Sequence, residues 1–178
     1  MSEALPQFRY HPDPLATGAV EPSDATCVGC GAARGFLYVG PVYSKIELGD
    51  RLCPWCIADG TAANQFAASF ADAHPLLEAN LPAPIVEEIH LRTPAYTSWQ
   101  QEEWLAHCGD ACEFHGDATS ADVAEAAVET KTEWMSKYHL SERDWAQATA
   151  GYRPGGESSF YKFSCRHCKS ILFGWDCS

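Results

Sequence analysis

The spacing of apolar positions changes several times along the chain, and each change marks an element. Phe8 and Tyr10 stand in a polar, proline-rich opening stretch that runs to about residue 25. Within it, His11-Pro12-Asp13-Pro14 cannot be helical, because each proline pushes its predecessor into extended geometry. The pattern predicts an extended strap anchored by the two aromatics. Phe36 to Val39 reads as a strand, with Val42-Tyr43 as an extension. Ala63, Phe66, Ala67 and Phe70 recur at spacings of three and four. They predict a helix from Thr61 to Ala71, capped by Asp59 or Thr61. Leu81 to Leu91 reads as a short helix or irregular segment punctuated by Pro82 and Pro84. Ser98 with Gln101 has the form of a capping box for a helix ending near Ala106. The Ala- and Glu-rich stretch from Ser120 to Tyr138 predicts one longer helix. Ser141 with Asp144 starts another, which Gly151 ends. Ser159 to Phe163 and Ile171 to Trp175 read as two strands flanking the turn from Cys165 to Cys168. No repeat of fixed period is present.

These elements describe an α+β fold with cysteine knuckles, short antiparallel strands and several packed helices. The 178 residues suit one domain over 1–178 with two stapled sub-regions, about 1–60 and 99–178. A chain of this length buries roughly 70% of its unfolded surface. Metal is therefore needed only where particular loops cannot hold themselves. The formal charge of −12 repels phosphate backbones and favours basic protein partners, so nucleic acid is not an expected ligand. No apolar run reaches the length of a membrane span. The opening residues lack the basic-then-apolar pattern of a secretory signal, so a bacterial-type cytoplasmic location is expected. In that reducing setting nine cysteines read as metal ligands or redox groups rather than disulfides.

Cys27-x2-Cys30 and Cys53-x2-Cys56 are separated by 22 residues. Two residues between cysteines let a tight turn aim both sulfurs at one ion, and Gly31 permits the positive φ such turns use. Joined by strands, two such turns make a zinc ribbon. A second set combines Cys108-x3-Cys112 with Cys165-x2-Cys168, tying the middle of the chain to its end. Cys177, His107 and His167 are competing ligands for that set. The expectation is two Zn2+ per chain, held by Cys27, Cys30, Cys53 and Cys56 and by Cys108, Cys112, Cys165 and Cys168. Closed four-cysteine sites leave no open position for water, which favours structural over hydrolytic zinc.

Other readings compete. Cys53-Pro54-Trp55-Cys56 has the form of a thiol–disulfide motif. Asp59, Glu102 and Asp110 are candidate acid or base groups, without a partner at fixed spacing. If Trp99 to Leu105 is helical, Gln100, Glu103 and Trp104 share a face that could form a polar recognition pocket. Asp117, Asp122, Glu125, Glu129 and Glu133 make an acidic face for a basic partner. Gly155-Gly156 is a turn, with no phosphate-loop Lys-Ser or Lys-Thr after it.

Several blocks carry a further resemblance. They are Phe8-Arg9-Tyr10-His11-Pro12-Asp13-Pro14, Cys27-Val28-Gly29-Cys30-Gly31, Leu52-Cys53-Pro54-Trp55-Cys56-Ile57-Ala58-Asp59-Gly60, Trp99-Gln100-Gln101-Glu102, Cys108-Gly109-Asp110-Ala111-Cys112-Glu113-Phe114 and Phe163-Ser164-Cys165-Arg166-His167-Cys168. Through them the sequence resembles the CbrC family of bacterial proteins, named for a member linked to colicin tolerance. The resemblance implies a small cytoplasmic zinc-ribbon protein without an established activity. Where that family often has two adjacent cysteines before Gly-Asp-Ala-Cys, this chain has His107-Cys108, which favours Cys108 as the ligand. The combined expectation is a zinc-stabilised protein-binding, stress or toxin-tolerance module, with a basic toxin or nuclease as one conceivable partner. The alternative is a thiol redox or hydrolytic enzyme, and a third reading, disfavoured by the acidic charge, is a nucleic-acid-binding zinc ribbon.

Overall fold

The structure is a computed structural model that describes residues 4–177. Met1 to Glu3, the start of the expected strap, and Ser178 lie outside the described residues. Among the described residues, seven helices and seven short strands in small antiparallel sheets make an α+β fold. β1 (Val20–Ser23) pairs with β2 (Gly35–Tyr38). Four helices follow: α1 (Pro54–Ala58), α2 (Thr61–Phe66), α3 (His74–Glu78) and α4 (Ala83–Arg92). A tight hairpin of β3 (Ala106–His107) and β4 (Asp110–Ala111) leads into β5 (Glu113–Asp117). Helices α5 (Ser120–Ala124), α6 (Val128–Tyr138) and α7 (Glu142–Thr149) precede the long hairpin of β6 (Ser158–Ser164) and β7 (Ile171–Cys177). The last three long strands form one sheet in the order β5-β6-β7.

That sheet separates two apolar clusters. Side chains directly opposite each other on antiparallel strands share a face. Phe163 faces Leu172 across β6 and β7, and with Tyr161 they join the larger cluster, which holds Tyr10, Tyr38, Phe70, Trp104 and Phe114. Phe160 faces Trp175, and with Phe173 they turn to the other side, where α5, α6 and α7 supply Val123, Trp134 and Trp145. Burial on both faces explains why β7 is nearly continuous in aromatic and apolar residues rather than alternating.

The strap is anchored by its two aromatics as expected, but residues 14–18 turn before β1 rather than staying extended. Phe8 and Tyr10 are buried, and the Tyr10 carbonyl accepts the Phe114 N–H at 2.8 Å. His11 is also fully buried. Its Nδ1 lies 2.7 Å from the Pro94 carbonyl and its Nε2 lies 2.6 Å from Thr17 Oγ1. A carbonyl can only accept, so Nδ1 carries the proton and Nε2 accepts from the threonine.

Three predicted helices differ from those observed. The helix from Thr61 stops at Phe66, because Ala67 turns left-handed (φ +50) and the chain then bridges to Tyr43 through Ser69. The N-cap is Gly60 rather than the expected Asp59 or Thr61, and Asp59, one residue before it, accepts the Thr61 N–H at 2.8 Å. The helix from Ser98 to Ala106 does not form. The N–H groups of Trp99 and Gln100 both donate to the Asp176 carboxylate on β7, which takes the place of a helical turn. The long helix from Ser120 breaks into α5 and α6, since Ala127 is extended. Ser141 and Asp144 make the expected reciprocal cap of α7, and Thr119 with Asp122 makes a second one on α5.

Candidate metal centres

The turn at Cys27 folds on its own backbone. Gly31 N–H donates to the Cys27 carbonyl at 2.8 Å, and Cys27 N–H donates to the Ala32 carbonyl at 3.0 Å. Gly31 has φ +69, which its lack of a Cβ makes free of strain. The partner turn runs into a helix rather than a strand: Cys53 precedes α1, Pro54 opens it and Cys56 lies in its first turn. Proline suits that position because its missing N–H would have no helical partner. The two turns are stitched by Val28 N–H to the Arg51 carbonyl at 2.9 Å and by Cys53 N–H to Cys27 Sγ at 3.2 Å.

This brings four sulfurs together. Cys27 Sγ lies 3.7 Å from Cys56 Sγ, and Cys30 Sγ lies 3.8 Å from Cys53 Sγ. All four ligand atoms are within 4.8 Å of one another. A disulfide would need about 2.05 Å, and all nine cysteines are free. Tetrahedral zinc with bonds of about 2.3 Å puts its sulfurs about 3.8 Å apart. Cys27, Cys53 and Cys56 are buried and Cys30 is exposed. Burial pushes the Cys27 thiol up, but N–H groups of Cys30, Cys53 and Gly29 outweigh it and hold the group at about 7. Such donors favour the thiolate that a metal needs.

The second cluster gathers His107, Cys108, Cys165 and Cys168 within 4.8 Å. Cys108 and Gly109 form the two-residue turn between β3 and β4, with φ +53 and +72. Both are positive, as a type I′ hairpin requires, and only the glycine adopts that conformation readily. The turn at Cys165 repeats the one at Cys27. Lys169 N–H donates to the Cys165 carbonyl at 3.1 Å, and Cys165 N–H donates to the Ser170 carbonyl at 2.8 Å. Imidazole Nδ1 of His107 lies 3.2 Å from Cys108 Sγ and 3.3 Å from Cys168 Sγ. Its Nε2 lies 3.6 Å from the Glu133 carboxylate on α6, on the side where a metal-ligating imidazole takes an outer partner.

Cys112 stands outside this group. It is fully buried between β4 and β5. Its N–H donates to the Leu105 carbonyl at 2.9 Å, and its carbonyl accepts Trp104 Nε1 at 2.9 Å. The hairpin turn aims Cys108 and His107 at the Cys165 knuckle while Cys112 packs into the core as a small apolar side chain. Cys177 is exposed at the end of β7 and joins neither group. His167 points elsewhere, its Nε2 lying 3.0 Å from Asp110.

The profile described as Uncharacterised protein family (UPF0167) matches residues 5–177. The chain belongs to that family. This corrects the resemblance to the CbrC family, which neither the profile nor the relatives support. UPF0167 protein PA1536 of Pseudomonas aeruginosa is 48% identical over 177 residues, covering 99% of each chain. UPF0167 protein Mb2317 of Mycobacterium bovis is 49% identical over 123 residues, covering 69% of this chain and 66% of the relative. No solved structure matches the chain.

The remaining candidates of this UPF0167 chain serve the frame. Asp110 is a hub beside the second cluster. It accepts Tyr10 Oη and Ala111 N–H at 2.8 Å each, and Arg166 Nη1 at 2.9 Å. Glu102 is 3% exposed and clamps three segments: it accepts Tyr43 Oη at 2.6 Å, Gln101 Nε2 at 3.0 Å and Asp72 N–H at 3.0 Å. Burial raises its pKa. Asp59 accepts the Thr61 N–H, and these three carboxylates do not converge. Gln100, Glu103 and Trp104 share no helix face, and Trp104 lies in the larger core. No helix among the described residues is long and apolar enough to cross a membrane.

Proposed function

We propose that the chain is a zinc protein carrying two ions, one on Cys27, Cys30, Cys53 and Cys56 and one on His107, Cys108, Cys165 and Cys168. The observation that carries this reading is the pair of sulfur separations, 3.7 and 3.8 Å, which match the edge of a zinc–thiolate tetrahedron. The donor chemistry supports it too: thiolate with imidazole is the set zinc prefers. Bound there, the ions act as cross-links. The first ties residues 27–30 to the start of α1, and the second ties the β3–β4 hairpin to the turn between β6 and β7.

Each tetrahedron is closed by protein donors, which supports a structural role over hydrolysis. The redox alternative at Cys53 and Cys56 is weaker, since each of these sulfurs faces a cysteine of the other turn. Function then resides on the surface. With a net charge of −12, and with Arg9, Lys137, Lys162 and Arg166 each paired to a carboxylate, that surface suits a basic protein partner. The toxin-tolerance role rested on the family resemblance and falls with it. Nine free thiols suit a reducing compartment such as the bacterial cytoplasm.

The test is zinc content with X-ray absorption at the zinc edge. Two zincs per chain, with an average shell between pure sulfur and one nitrogen per three sulfurs, is the expected result. Zinc-free protein that keeps its fold, or a disulfide within either cluster of protein purified and kept under reducing conditions, overturns the reading.

A further inference from the structure

The two clusters differ in how far their sulfurs can be reached. In the first, Cys30 is exposed, but the sulfur opposite it, Cys53, is fully buried. In the second, Cys108 and Cys168 are both exposed. They flank the same imidazole nitrogen at 3.2 and 3.3 Å, and their sulfurs lie within 4.8 Å of each other. Closing that gap to a disulfide of about 2.05 Å moves the sulfurs by no more than about 3 Å. Cys108 also sits in a two-residue turn at φ +53, a conformation costly to any residue with a Cβ and kept where surrounding structure imposes it.

We propose that Cys108 and Cys168 form an oxidation site, at which a peroxide converts the two ligands to a disulfide and expels the metal. The proposal rests on the zinc reading above. One thiolate attacks a peroxide oxygen, the O–O bond breaks, and hydroxide leaves a sulfenic acid behind. The second thiolate attacks that sulfur, the S–S bond forms, and a second hydroxide leaves. Two protons from solvent turn the hydroxides to water. The sulfurs lose two electrons and the peroxide oxygens gain them. With two of its four donors consumed, the ion is left on His107 and Cys165 and departs. His107, no longer fixed by metal, then loses the constraint that holds it beside Glu133 on α6, so the local chemistry reaches the helix packed on β7.

The experiment uses the full zinc-loaded chain carrying Cys177→Ser, which removes the exposed thiol outside both clusters. Hydrogen peroxide is added in steps. Released zinc is followed with a chromogenic chelator, and disulfides are mapped by peptide mass. The expected result is release of one of the two zinc equivalents at least about tenfold faster than the other. A Cys108–Cys168 cross-link appears in step, while Cys27, Cys53 and Cys56 stay reduced. Release of both ions at one rate, earlier release from the first centre, or a cross-link elsewhere overturns the proposal while the zinc reading stands. Selective formation of the Cys108–Cys168 disulfide in a chain that starts without zinc in this cluster sinks the zinc reading there and supports the oxidation site alone.

Discussion

The turns at Cys27 and Cys165 carry the same backbone hydrogen bonds, yet the left-handed position is Gly31 in one and Lys169 in the other. The first opens onto a wall of buried residues and meets a second turn locked to a helix start. The second meets a hairpin at the surface, and its fourth donor is an imidazole. One fold has thus used a single turn twice, once with three of its four sulfurs buried and once with two of its three exposed. The difference lies in what surrounds the turn and not in the turn itself.

The strongest way to break that contrast is to remove one ligand from each. Cys56 is 2% exposed and packs in the larger core. Cys56→Ser is expected to lower unfolding free energy by at least about 3 kcal/mol, since structural zinc contributes directly to folding. Cys168→Ser is expected to leave a cooperative fold with one zinc and a smaller loss. Denaturant unfolding with zinc content checks both, and equal losses would end the distinction.

The strap that reaches both halves gives the next effect. Burial holds the His11 pKa at about 4, against about 6.5 unfolded. Between those values the unfolded chain binds more protons, so stability is complete above pH ~6.5 and falls as pH drops towards 4. The loss reaches up to about 3 kcal/mol. In His11→Gln this part of the pH slope should vanish, as unfolding midpoints measured across the window would show.

Glu133→Gln sharpens the comparison. It is expected to weaken zinc at the second centre by about tenfold and leave the first unchanged, read by chelator competition. The smallest effects come from the shared left-handed position. A Cβ at Gly31 would meet no atom within 4 Å, so the cost of Gly31→Ala is conformational, about 1 kcal/mol. Lys169→Gly is expected to stabilise by less than about 1 kcal/mol, because the more flexible unfolded chain offsets part of the relief. Thermal melts of the two variants should move in opposite directions.

What could be read from the sequence was local. Cys-x2-Cys pairs, the strap prolines and the Ser141–Asp144 cap each depend on neighbours a few residues away, and each is seen in the structure. His107 in place of Cys112 depended on the direction in which a two-residue hairpin turn aims its flanking residues. Its one visible sign was a histidine beside a cysteine that precedes glycine. The capping-box pattern at Ser98 misled because the N–H groups it would have organised are taken by Asp176, far along the chain. The break at Ala127 had no visible signal within the Ala- and Glu-rich run. The helix beyond Phe66 was lost to a left-handed alanine, which no periodicity announces.

The spacing of the two clusters along the chain also orders their assembly during synthesis. The last sulfur of the first cluster is residue 56, so all four can meet more than a hundred residues before the last sulfur of the second is made. The second needs residue 168, and its hairpin must wait for more than fifty intervening residues to emerge and fold over it. A nascent chain therefore passes through a long interval in which one knot is tied and the exposed thiol of Cys108 has no partner. On the zinc reading, that interval is when the supply of metal matters most to this protein.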